Sequence, residues 1–165
     1  FADVILMAAE AEVEAGSLAE AERLVNLVRA RAANPAGWVH TYVDPADPAK
    51  GFTNTPAANY RIGLYSGQFT TRGQAYAREA VRFERRLELA MEGKRFFDLQ
   101  RWDNGTGYMA DILNAYIAKE LEFMPSYQIL KGAQFKKGQD EVFPIPQGQI
   151  DISNGTLKQN QNTGG

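Results

Sequence analysis

Residues 84–102 read ERRLELAMEGKRFFDLQRW, in which a charged helical pattern, a glycine and an aromatic cluster follow one another. Apolar residues at three- and four-residue spacing predict a helix that begins near Arg72 and has one buried stripe. The predicted stripe consists of Ala80, Phe83, Leu87 and Ala90. Gly93 is predicted to end this helix in the left-handed conformation, which costs glycine least.

A second, shorter helix is predicted after Gly93. Its apolar residues are Phe96, Phe97, Leu99 and Trp102. Aromatic side chains of this size stabilise a domain most when they are buried. We therefore expect Phe96, Phe97 and Trp102 to lie in the core, in preference to forming a platform for a ligand.

Glu84 and Glu88 lie one helical turn apart, and two interpretations of the pair are open. A retaining glycosidase needs two carboxyl groups about 5–5.5 Å apart, but glutamates one turn apart always lie at about that spacing. Such an enzyme also needs the two groups to face each other across a cleft. The alternative is a helix face that is solvated or held in salt bridges. We favour this alternative, and no catalytic residue is predicted.

The composition excludes several classes of function. The chain has 165 residues and a net charge of -2, which suits one domain and argues against a dedicated nucleic-acid binder. No run of about 18 apolar residues is present that would span a bilayer. The chain has no cysteine and a single histidine, His40, so disulfides, cysteine-based zinc sites and two-histidine metal motifs are excluded. We predict no metal and no cofactor.

Residues 1–33 predict two helices joined by a tight turn, a unit that matches a tetratricopeptide repeat in length. The first helix, Phe1–Ala15, has a predicted stripe of small residues formed by Val4, Ala8, Ala11 and Ala15. Ser17 starts the second helix, and Glu20 three residues later completes a capping box. The predicted buried stripe of that helix is Ala21, Leu24, Val25, Val28 and Ala32. Because one such pair cannot bury its own face, it must stack on another.

Residues 34–71 are predicted to form a long irregular loop, because they hold four prolines and no sustained period. Loops of this length in a compact domain are usually functional or disordered. Aromatic rings can stack on sugar rings, and amides can hydrogen-bond hydroxyl groups in both directions. The residues predicted to bind a ligand are Trp38, His40, Tyr42, Asn59 and Tyr60. The alternative is that the loop's aromatic side chains only pin it to the helices.

The remainder of the chain predicts one further helix and an extended tail. The helix covers Gly107–Phe123, and Pro125 follows it. Gly132 and Gly138 bracket a basic turn that holds Lys136 and Lys137 and directly follows Lys131, and it is either a solvated hairpin, the alternative we favour, or an anion site. Prolines at 144 and 146 keep the chain extended there. Residues 151–165 are rich in Asn, Gln, Thr and Gly and are predicted to be irregular.

Three blocks of the sequence resemble the SusD/RagB family of nutrient-binding lipoproteins. Residues 1–31, FADVILMAAEAEVEAGSLAEAERLVNLVRAR, resemble the family's helix pair. Residues 84–102 resemble its ERRxELAFEGxRWFDLxRW helix, with Phe97 at a position where tryptophan is commoner. Residues 141–161, EVFPIPQGQIDISNGTLKQNQ, resemble its terminal segment, although the usual Asn-Pro-Gly-Tyr ending is absent.

The resemblance implies a mainly all-α fold of tetratricopeptide-like helical pairs with long irregular loops and an extended C-terminal tail. We expect residues 1–165 to form a single domain, the C-terminal part of a longer protein. Within it we expect a helix pair over 1–33, a long loop over 34–71, a helical core over 72–124 and an extended tail over 125–165.

The resemblance also implies a function without catalysis. It implies a surface-exposed lipoprotein of the cell outer membrane, held there only by an N-terminal lipid anchor that this chain lacks. Such a protein captures oligo- or polysaccharides, or alternatively peptides, for a TonB-dependent, SusC-like β-barrel transporter. The matching motifs belong to the scaffold, so they transfer no ligand-binding residue. The competing hypotheses are a helical-repeat scaffold that binds only proteins and, less favoured, a glycosidase.

Overall fold

The computed structural model describes residues 1–160, and residues 161–165 are not described. Within the described part the fold is mainly α-helical, as predicted, with seven α-helices and one two-stranded sheet. The elements are α1 (Ala2–Ala15), α2 (Leu18–Ala33), β1 (His40–Tyr42), β2 (Phe52–Pro56), α3 (Gln68–Arg72), α4 (Gln74–Glu88), α5 (Arg95–Asp103), α6 (Tyr108–Phe123) and α7 (Gln147–Ile152). They fall into two compact units, of which the first is Phe1–Gly93 and the second begins at Lys94.

The core of the first unit lies among α1, α2, α3 and α4. Its buried residues are Leu6, Ala9, Val13, Ala21, Val25, Val28, Phe69, Ala77, Ala80 and Val81. In α2 the buried face is the predicted one. In α1 the prediction was wrong, because Val4, Ala8, Ala11 and Ala15 are exposed. This helix is apolar on nearly every side, so spacing alone does not select a face, and the face that is buried carries Leu6, Ala9 and Val13.

The turn between α1 and α2 contains half of the predicted capping box. The Ser17 hydroxyl accepts a hydrogen bond from the Glu20 backbone N–H at 3.4 Å. The Glu20 carboxylate instead binds Arg23, and the backbone N–H of Ser17 donates to Glu12 Oε2 at 2.8 Å. Glu12, in the preceding helix, therefore accepts the backbone hydrogen bond that Glu20 would accept in a complete capping box.

The charged helix α4 differs from its prediction in limits and in orientation. It begins at Gln74, because Gly73, with a positive φ of 85°, separates it from α3, and it ends at Glu88. Gly93 is left-handed, as predicted, but it follows a turn in which Met91 also has a positive φ. The buried residues of α4 are Ala77, Ala80, Val81, Glu84 and Arg85. The predicted stripe residues Phe83 and Leu87 are 52% and 53% exposed.

Ion pairs explain this rotation of α4. Arg29 on α2 donates from Nη1 to Glu84 Oε2 at 2.7 Å, and its Nε donates to the Gly63 carbonyl at 2.6 Å. Arg85 Nη2 donates to Asp3 Oδ1 on α1 at 2.8 Å. Both α4 side chains are almost completely buried. A buried charge needs a partner, and each of these two has one on a neighbouring helix.

The core of the second unit forms where α5 packs against α6. Its buried residues are Leu99, Trp102 and Met109, with Phe96, Tyr108, Ile112, Leu113 and Phe135 partly buried around them. The core prediction for Trp102 is confirmed, and Phe96 packs at the edge of the core. The prediction for Phe97 was wrong, since its side chain is 62% exposed. Helix α5 has only nine residues. Because it buries Asp98, Leu99 and Trp102, its Phe97 side chain faces outward.

The rest of the second unit follows the sequence closely. Helix α6 begins one residue after its predicted start, with Gly107 left-handed before it. The tail beyond residue 125 is not wholly extended, because it contains a 3₁₀ turn at Gln128–Leu130 and the short helix α7. The final residues, where the ending departs from the family pattern, lie outside the described part of the chain.

Replacing Trp102 by alanine should lower the free energy of unfolding by about 3–5 kcal/mol, because a large aromatic side chain leaves a packed core. Phe97→Ala is the matched control and should cost about 0.5 kcal/mol or less, since that ring is mostly exposed. Urea denaturation followed by circular dichroism measures both values. Similar losses in the two variants would contradict the placement of Trp102.

Glu84→Ala should cost about 1.5–3 kcal/mol, because it leaves the largely buried Arg29 guanidinium without its carboxylate. Glu20→Ala removes a carboxylate from an exposed pair with Arg23 on the same helix and should cost about 0.5 kcal/mol or less. Thermal unfolding of the two variants compares them directly. An unchanged melting temperature for Glu84→Ala would show that this ion pair does not hold α2 to α4.

Candidate functional site

The segment predicted as one irregular loop contains a β-hairpin. Strands β1 and β2 are antiparallel, with Tyr42 opposite Phe52 and His40 opposite Pro56. The Thr41 and Thr53 hydroxyls form a hydrogen bond of 2.5 Å across the pair. The sequence analysis missed these strands because they have only three and five residues and lie among prolines and glycines.

Two aspartates, Asp44 and Asp47, hold the connection between the strands, and Asp47 Oδ1 accepts from the Ala49 backbone N–H at 3.3 Å. Asp44 Oδ2 accepts from Lys50 Nζ at 2.6 Å, and its Oδ1 accepts from the Ala46 backbone N–H at 3.0 Å. The hydrogen bond from Lys50, with help from the backbone N–H, holds the pKa of Asp44 below its ordinary value. The carboxylate therefore stays ionised at neutral pH, and its hydrogen bonds stabilise the turn between the strands.

Two stacked aromatic pairs lie in this segment. Trp38 stacks on Tyr60 with ring centroids 4.9 Å apart and an interplanar angle of 24°. Tyr42 stacks on Phe52 at 4.9 Å and 25°. The Trp38 indole N–H donates to the Ala32 carbonyl at the end of α2, at 3.0 Å. The first pair is thus half-buried and tied to the helices, whereas Tyr42 and Phe52 are exposed.

The five predicted ligand residues are therefore brought together only in part. Trp38 and Tyr60 are in contact, while Tyr42 pairs with Phe52, a residue outside the predicted set. His40 is half-buried and Asn59 is exposed. Their role in binding stays a prediction. The cross-strand register of Tyr42 and Phe52 is a tertiary feature that the sequence reveals only if the hairpin is recognised first.

Tyr65 pins the loop to the helices, as the alternative interpretation of the loop's aromatic side chains predicts. Its ring lies 4.9 Å from that of Phe69 and 6.5 Å from that of Tyr76, so it packs against the core of the first unit. Burial raises the pKa of its hydroxyl above the ordinary value. Asn26 Oδ1 accepts from the Tyr65 backbone N–H, and Asn26 Nδ2 donates to its carbonyl. This part of the loop is pinned to α2.

A cleft of about 360 Å³ opens in the first unit between α2 and α4. It is lined by Arg29, Ala32, Arg61, Ile62, Phe83, Glu84, Leu87 and Glu88. The Glu84 carboxylate binds Arg29, and both Glu88 oxygens accept from Arg31 Nη2, at 2.5 and 2.6 Å. Of the two interpretations of Glu84 and Glu88, the geometry supports the salt-bridged helix face.

A second cleft, of about 350 Å³, lies within the second unit at the C-terminal end of α5. It is lined by Gln100, Asp103, Asn104, Gly105, Lys137, Gly138, Glu141 and Val142. Asn104, the residue that follows α5, is left-handed with φ of 42°. The lysine turn predicted between Gly132 and Gly138 forms part of this cleft.

The described residues include no group of three or more histidine, aspartate or glutamate side chains able to hold a metal ion. None of the helices listed above has the length and apolarity that a bilayer crossing demands.

Comparison with known proteins identifies the family of the chain. No curated protein and no solved structure matches it. The sequence matches the SusD family over residues 1–163, which is nearly its whole length. This match includes all three blocks on which the resemblance rested, and the mainly helical fold agrees with it. The chain therefore belongs to the SusD family, a family of nutrient-binding proteins.

Proposed function

We propose that this protein captures glycans at the cell surface, as an outer-membrane lipoprotein, and passes them to a TonB-dependent β-barrel transporter. The observation that carries this proposal is the family match over residues 1–163. Peptide capture in the same role is the close variant. The lipid anchor and the SusC-like transporter come into the proposal from the family.

The aromatic hairpin is the part of the first unit best suited to a sugar ligand. The C–H face of a pyranose ring packs well on an exposed aromatic face, and Tyr42 and Phe52, which stack on each other, both remain partly exposed. Asn59, which is exposed, can donate and accept hydrogen bonds with hydroxyl groups. We propose Trp38, His40, Tyr42, Asn59 and Tyr60 as ligand-binding residues, with Phe52 added.

The protein binds its ligand without chemical change in this proposal. Glu84 and Glu88 lie one turn apart on α4, and each is held by an arginine. Glu84 is also almost completely buried. Both carboxylates lie on the same face of α4, so they do not face each other across a cleft as the two carboxyl groups of a glycosidase do. This arrangement supports a binding role over a glycosidase.

A helical-repeat scaffold that binds only proteins is the second candidate function. The cleft between α2 and α4 supports it, because Phe83 and Leu87 expose apolar surface beside the charged groups. A scaffold of this kind predicts peptide binding in the cleft and no affinity for polysaccharides.

Isothermal titration calorimetry against a panel of soluble polysaccharides and oligopeptides tests the proposal. We expect saturable binding to one glycan class, with no shortening of the glycan on prolonged incubation. Peptide binding alone would change the cargo and keep the role. Turnover of the glycan, abolished by Glu84→Gln, would overturn the non-catalytic assignment.

Tyr42→Ala should weaken binding of that glycan about tenfold or more, equal to about 1.4 kcal/mol, because it removes one stacking face. Val43→Ala is the matched control, since Val43 is an exposed apolar neighbour in the same hairpin. Both variants should unfold at the temperature of the wild type. Equal affinities for the two variants would exclude the hairpin as the binding site.

A further inference from the structure

The walls of the cleft in the second unit are fixed by hydrogen bonds on both sides. Buried Asp103 accepts from the Gly105 and Met109 backbone N–H groups, at 3.0 and 2.8 Å, and so joins the end of α5 to the start of α6. Gln100 Nε2 donates to the Glu141 carbonyl at 2.5 Å. Lys137 Nζ donates to the Thr106 carbonyl at 2.7 Å. The cleft is therefore pre-formed and does not depend on a ligand for its shape.

Several polar atoms of the cleft keep unused hydrogen-bonding capacity. The Asn104 side-chain amide has no hydrogen-bond partner among residues 1–160, and neither does the Gln100 amide oxygen. Glu141 uses Oε1 to accept from the Gly138 N–H at 2.8 Å, which leaves Oε2 available. Lys137 has donated one of its three N–H groups. Donors and acceptors thus converge on one space, as hydroxyl groups require.

The charges of the cleft disfavour an anionic ligand. Lys137 contributes one positive charge, and Asp103 and Glu141 contribute two negative charges. An anion would meet a net negative lining, even though the adjacent turn is rich in lysine. A bare metal cation is also disfavoured, because Lys137 lies in the same cleft and no acidic cluster is present in residues 1–160. The lining therefore suits a neutral polar molecule.

We propose that this cleft binds a neutral sugar ring through Asn104, Gln100, Lys137 and Glu141. Its volume of about 350 Å³ falls in the range of small-molecule pockets. Exposed Val142 supplies a small apolar surface for the C–H face of the ring. The inference rests on the proposed function for its ligand class, and it adds a glycan contact in the second unit to the aromatic hairpin of the first.

The decisive variant is Asn104→Gly. Asn104 has a positive φ, which glycine adopts without strain, so the change removes the amide and preserves the turn. Asn154→Gly is the matched control, because Asn154 is also exposed and left-handed, with φ of 51°, and lies outside the cleft. Glu141→Gln is the second variant, since its amide oxygen can still accept from the Gly138 N–H while the charge is lost.

The probes are D-glucose, D-galactose, D-mannose and D-xylose, with D-glucuronate as the charged counterpart of glucose. Side-chain amide signals of Asn104 and Gln100 in NMR spectra report binding at the cleft itself. We expect at least one neutral sugar to give saturable shifts, and affinity to fall about fivefold or more in Asn104→Gly, with no change in Asn154→Gly. Glucuronate should bind more weakly than glucose, and Glu141→Gln should reduce that difference.

Three results would overturn the proposal. They are no saturable shift with any neutral sugar, equal affinities for the two glycine variants, or tighter binding of glucuronate than of glucose. Calorimetry with the polysaccharide panel separates this outcome from failure of the proposed function. If polysaccharides bind the protein but no sugar shifts the amide signals of the cleft, only the cleft assignment is wrong. If the cleft binds a sugar but no polysaccharide or peptide binds the protein, the proposed function is wrong and the cleft stands.

Discussion

The first unit depends on two adjacent charges of α4 that point into the protein. Glu84 binds Arg29 on α2, and Arg85 binds Asp3 on α1, so one helix is tied to two others by opposite charges. Removing either partner would leave a buried charge unpaired, which costs more than the intact pair contributes. The pairs therefore fix which face of α4 turns inward. That choice exposes Phe83 and Leu87 and creates the cleft beside them.

The same constraint positions the hairpin that we propose as the ligand site. Because α2 is held by Arg29, its C-terminal end is a fixed point at which Trp38 anchors the start of the hairpin through the Ala32 carbonyl. Asn26 fixes Tyr65 at the other end of the segment. A long connection is thus restrained at both ends, with its exposed rings between them. Restraint of this kind lowers the entropy lost on binding.

The sequence predicted which segments are helical better than it predicted which faces are buried. Helix α2 has charged residues between its apolar ones, and its buried face was foreseen, although Leu27 outside that face is exposed. Helix α1 has apolar residues on most sides, so the pattern selected Val4 and Ala8 where the structure buries Leu6 and Ala9. In α4 the apolar pattern was overruled by Glu84 and Arg85, whose partners lie far away in the chain. Long-range ion pairs of this type leave no local signal in one sequence.

The candidate sites, too, have some features that the local sequence predicts and others that only the fold reveals. The sequence of the loop shows residue types that are suited to sugars. The pairing of Tyr42 with Phe52, however, depends on a short hairpin that the composition of the loop does not predict. The cleft of the second unit depends on Asp103, whose carboxylate caps the next helix and leaves Asn104 in a left-handed conformation. A lysine-rich turn suggested either a solvated hairpin or an anion site. Only the neighbouring carboxylates, which the fold brings beside Lys137, show that the local charge disfavours anions and suits a neutral ligand.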